Sequence, residues 1–164
     1  MGLYLVEGIH VFLATLWVGG VLFVDLVAFP LLLRLPPERQ SQAGQMLMLA
    51  ADRFFVPIGA LVIVSGMLRG TLFGPINSTA FLLSTTYGRA WLTALLVAIA
   101  TLLWGTFGVF RPTMRFFTAP SLWGANQVSA WTQRKKALRG LMLREAGEVV
   151  GFLIILGAMM IMGS

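Results

Sequence analysis

AWLTALLVAIATLLWGTFGVF, residues 90–110, decides the fold class: it carries no charged side chain, and wound as an α-helix it measures roughly 30 Å. That length matches the hydrocarbon core of a bilayer. Lipid offers backbone N–H and C=O groups no partners, so a segment crossing it must satisfy them internally, and a long uncharged run predicts a spanning helix. Arg111-Pro112 closes the run.

Three further stretches are of the same kind. Leu3 to Phe29 is interrupted only by Glu7, His10 and Asp25, and ends before Pro30 and the Pro36-Pro37 pair. Met46 to Leu68 has Asp52 and Arg53 in its first turns and Pro57 inside it, where a local kink is expected. Leu141 to Met162 is the last. Its strictly uncharged part, Val149 to Met162, is short for a full crossing, so Glu145 and Glu148 are expected at or just inside the interface. The reading is an all-α polytopic membrane protein: one transmembrane domain over residues 1–164, a four-transmembrane-helix bundle with helices at about 3–29, 46–68, 90–110 and 141–162.

Composition agrees. With 58% hydrophobic and 11% charged residues and a mean hydropathy of +0.87, a soluble fold of this length would leave too much apolar surface facing water. The N-terminus lacks a basic region before its apolar run, so the first span reads as a retained helix rather than a cleaved signal.

The formal charge of +6 and the pI near 11.2 do not mark a nucleic-acid partner, because the basic residues sit in connections beside apolar spans. Positive loops are held on the cytoplasmic side and attract anionic headgroups. The first and third connections, with the helix ends beside them, carry Arg34, Arg39, Arg53, Arg111, Arg115, Arg134, Lys135, Lys136, Arg139 and Arg144; the second carries only Arg69 and Arg89. The predicted topology is N-out, C-out, in the inner (cytoplasmic) membrane. The third connection, Arg111 to Gly140, mixes Phe116, Phe117, Trp123 and Trp131 with that basic cluster and reads as an interfacial segment lying on the membrane surface.

Cysteine is absent, which removes disulfides, thiolate metal sites and covalent c-type haem. The single histidine, His10, shares a helix face with Trp17 and Val21, seven and eleven residues on. At the same outer depth the topology places Met67, Met159, Met160 and Met162. Imidazole with thioethers suits Cu(I), and a His–Met pair is a possible axial set for haem b iron. Two readings of His10 stay open, a metal or cofactor ligand and a packing histidine hydrogen-bonded at headgroup level. At the inner depth Asp25, Asp52, Arg53, Arg144, Glu145 and Glu148 are expected to pair and neutralise one another, the alternative being an exit path for a cation or proton. Signatures of soluble catalysis (HExxH, a Gly-Lys phosphate loop, a nucleophile elbow) are missing, and no independent catalytic activity is expected.

His10 followed by Trp17-Val18-Gly19-Gly20, then Ser65-Gly66 ending the second helix and Thr86-Tyr87-Gly88-Arg89 opening the third, resembles the copper-resistance protein D family. The resemblance spans about Gly8 to Gly105. It implies a multi-helix inner-membrane protein handling copper at the outer mouth, in uptake or delivery, with His10 as the position carried over. The residues favour a site of His10, Met67 and Met159 for a metal, with Trp17 beside any cofactor. The alternative is a haem-binding or structural accessory subunit of a membrane electron-transfer complex. The lipid bilayer is the first expected partner; a larger membrane complex or a homo-oligomer is a second.

Overall fold

The computed structural model describes residues 2–123 and 127–163, with the backbone alone at Leu3 and residues 127–131. In chain order the helices are α1 (Gly2–Phe23), a π-helical turn π1 (Val24–Ala28), α2 (Phe29–Leu32), α3 (Pro37–Gly70), α4 (Thr79–Ser84), α5 (Thr86–Leu103), a second π-helical turn π2 (Trp104–Phe110), α6 (Arg111–Thr118), α7 (Pro120–Trp123) and α8 (Gln127–Gly163). There is no strand among the described residues. Helical continuity through the π turns gives four segments long and apolar enough to cross a bilayer, Tyr4–Leu32, Pro37–Gly70, Thr86–Thr118 and Thr132–Gly163. The protein is an all-α four-helix membrane bundle.

The spans run longer than the apolar stretches alone predict. α3 starts at Pro37 rather than near Met46, with Pro37 in the first helical turn, where its missing N–H costs nothing. The polar residues that follow then have work at the inner helix ends. Gln40 Nε2 donates to Leu33 O at 3.0 Å and to Leu35 O at 2.6 Å, and Ser41 Oγ donates to Phe117 O at 2.6 Å. These carbonyls lie at or just past the ends of α2 and α6, and Phe117 O accepts from Gln45 Nε2 as well, at 3.3 Å. α8 likewise begins at Gln127 instead of Leu141. The connection expected to lie on the membrane surface, Arg111 to Gly140, is therefore divided: α6 and α7 take it to Trp123, residues 124–126 lie outside the described residues, and the basic cluster rides on the first turns of α8.

Both π turns stand just before a proline, Pro30 and Pro112. A proline ring clashes with the carbonyl four residues back and donates nothing to it, and widening the preceding turn keeps the helix unbroken. α3 continues through its own Pro57.

Packing pairs α1 with α3 and α5 with α8, and α3 also meets α5 and α6. Midway, Trp17, Val21, Ile58, Val62, Ala98 and Phe152 form one buried cluster. Trp17 is 2% exposed, meets Phe152 edge-on at 5.2 Å, and lies against Gly59, where a Cβ would stand 2.9 Å from the indole. A second cluster fills the inner end: Phe29, Phe116 and Phe117 with Met48 and Leu141, and Trp123 stacked on Phe117 at 6.0 Å. Large apolar side chains such as Phe12, Leu61, Leu96 and Leu153 face outward on all four spans, a surface that lipid solvates and water would not.

Candidate functional site

Trp17 separates two chambers and lines both. The outer one encloses about 770 Å³ of free space, its open side included, between α1, α3, α5 and α8. His10 enters it from α1. The imidazole is 5% exposed, with Nδ1 2.9 Å from Ser65 Oγ on α3. Ser65 Oγ in turn donates to Val62 O at 3.0 Å. A hydroxyl has one proton, and here the carbonyl receives it, so Oγ accepts from Nδ1–H. That assignment puts the ring's lone pair on Nε2, and the backbone of Val62 is a further hydrogen-bonding neighbour of the ring. Gly66 lets the ring sit this close to α3: a Cβ there would be 3.0 Å from His10 Cε1.

Met159 and Met162 from α8 line the same chamber, as do Trp17, Phe152, Tyr87 and Trp91. Trp91 is fixed by its Nε1–H, which donates to Gly66 O at 3.2 Å. Arg69 also faces the chamber, and its guanidinium is matched by Glu7 Oε1 at 2.9 Å, the one ion pair among the described residues. A cation entering the chamber therefore does not meet an uncompensated positive charge.

The structure brings together His10, Trp17 and Met159 from the sequence reading, and leaves out Met67. That side chain is 44% exposed and is not part of the chamber wall. Its neighbours Ser65 and Gly66 face His10, and one further step of about 100° turns residue 67 away. Depth along the bundle was readable from sequence; azimuth was misjudged. Met162, Tyr87, Trp91 and the Ser65 hydroxyl are the site residues that the sequence did not single out for these roles. Gly20 admits a close neighbour, the Phe55 ring, whereas a Cβ at Gly19 would meet open space.

The inner chamber, about 630 Å³ with its open side, holds Asp25 of π1, Asp52 of α3 and Glu145 and Glu148 of α8. The expected pairing with Arg53 and Arg144 does not occur. Arg144 instead donates to Gly108 O at 3.3 Å, so the acidic residues gather without a basic partner. Among the described residues no group of three or more His, Asp or Glu side chains is placed to hold a metal ion. An ion in the outer chamber would thus depend on sulfur beside the imidazole.

Comparison with protein-family models, with curated proteins and with solved structures finds no match. The chamber chemistry has to carry the functional reading.

Proposed function

We propose that this chain handles copper, holding Cu(I) in the outer chamber as cargo for uptake or delivery. The observation that carries the reading is the donor set: His10, with its Nδ1 paired to Ser65, lines one apolar chamber together with Met159 and Met162. A soft monovalent ion prefers imidazole and thioether donors to carboxylates, and Cu(I) is satisfied by few ligands. Aromatic walls keep water from the site and favour the less charged Cu(I) over Cu(II). The resemblance to the copper-resistance protein D family points the same way. The inner chamber sets four carboxyl side chains against a single thioether, Met48, a poorer continuation for Cu(I) than the outer site, so delivery to a partner at the outer face is favoured over passage through the bundle.

The wall of the outer chamber favours a second reading. Tyr87, Trp91 and Phe152 line it with aromatic rings beside His10, surroundings suited to a planar apolar ligand. Haem b would fit the donor chemistry with His10 as axial ligand and a methionine opposite, in an accessory subunit of a membrane electron-transfer complex.

Purification from copper-supplemented cells under reducing conditions, with metal analysis and an absorption spectrum, tests both readings. Stoichiometric copper, lost in His10→Ala at matched protein amount and kept in Met46→Leu, is the expected result. A Soret band that shifts in His10→Ala would replace copper by haem. Retention of either ligand by the variant would remove His10 from the site. His10→Gln, which keeps hydrogen bonding while removing imidazole ligation, serves if the alanine variant does not accumulate.

A further inference from the structure

The inner chamber is built for a different guest. Glu148 lines it, is 7% exposed, and makes no hydrogen bond or ion pair among the described residues. Its Oε1 would stand 2.8 Å from a Cβ at residue 105, so the glycine in π2 gives the carboxyl its room. Asp25 Oδ2, from π1, is buried with no partner. Buried carboxyl oxygens are seldom left this way, and where they are, a function commonly explains it. Asp25, Glu145 and Glu148 are near enough for their charges to act on one another, and no Lys or Arg lines the chamber. Such a chamber is complementary to positive charge.

The rest of the wall says which kind of cation. The acidic groups do not converge on a point where a bare metal ion would bridge three of them. Trp17, Phe29, Phe55 and Phe110 line the same chamber, and aromatic rings attract both cations and apolar groups. Both π turns contribute to this wall, a placement π-bulges often have at functional sites.

We propose that the inner chamber binds an organic cation, a protonated or quaternary amine or an equivalent onium ion carrying apolar groups, with Glu148 and Asp25 as its counter-charges. Trp17 closes the chamber toward the outer site, so the two sites recognise guests of different chemistry within one bundle.

Isothermal titration of the purified full chain in detergent with tetraphenylphosphonium tests this, with triphenylphosphine oxide as the neutral comparison. Saturable binding is expected at one site per chain, weakened about tenfold or more in Glu148→Gln and in Asp25→Asn and not displaced by the neutral compound. Loss of saturable binding in the wild type would overturn the proposal. So would undiminished binding in both variants, or displacement by triphenylphosphine oxide, which would make the chamber merely apolar. Displacement by Mg²⁺ at constant ionic strength would reassign it to an inorganic ion. If one variant does not accumulate, the other, checked by circular dichroism, decides.

Discussion

Ser65 does for His10 what an outer-shell hydrogen bond does for many metal-binding histidines: it fixes the ring and selects which nitrogen is free. Ser65→Ala should therefore leave the chain inserted and folded but weaken Cu(I) binding by about 10- to 100-fold, measured by competition with a chromophoric Cu(I) chelator. Unchanged affinity would mean that the ring orientation owes nothing to the hydroxyl. Trp17 is the opposite case, a side chain whose bulk matters more than its polar atom. Trp17→Ala opens the partition between the chambers and should cost about 3–5 kcal/mol, read as a shift in unfolding by a denaturing detergent. The His10–Trp17 face was legible because helical period alone sets it. The Ser65 contact was not, since it joins residues 55 apart through the rotation of two helices about their axes, which no local pattern encodes. Met67 was misread for the same reason.

Among the elements, the elbow between α4 and α5 shows how much one side chain can organise. Thr85 Oγ1 donates to Phe81 O at 2.8 Å, closing α4, and accepts from Gly88 N at 2.9 Å, capping α5. Thr85→Ala should cost about 1 kcal/mol, visible as a lower thermal midpoint in detergent. Gly88→Ala should cost more. Its Cβ would meet the backbone of Leu82 at 2.5–2.6 Å, a contact that no rotamer change relieves. An unchanged midpoint for Gly88→Ala would show that the elbow relaxes freely. The helix cores were legible from hydropathy, whereas their inner ends were not. In α3 Gln40 and Ser41 bond carbonyls of neighbouring segments, α8 continues back to Gln127, and hydropathy registers neither. The prolines that induce π1 and π2 were visible, but a proline after an apolar run marks a helix end as readily as a widened turn.

For the whole molecule, four crossings bring residues 2–10, the end of α3, the start of α5 and the end of α8 to one end of the bundle, the end that holds the outer chamber. By the positive-inside rule, the charge bias of the connections predicts that this end faces away from the cytoplasm. Single cysteines at Asn77 and Gln133 in this cysteine-free chain test the orientation in intact cells: an impermeant thiol reagent should label Asn77→Cys alone, and labelling of Gln133→Cys alone would invert the bundle. The central claim, that the outer chamber takes Cu(I) through one imidazole and two thioethers, is tested most directly by copper-edge X-ray absorption on the protein loaded with one equivalent of Cu(I). The expected spectrum contains both a sulfur shell and a single-imidazole scattering pattern, with the imidazole component gone in His10→Ala. A spectrum fitted by nitrogen and oxygen alone, or one identical in the His10→Ala protein, would contradict the account.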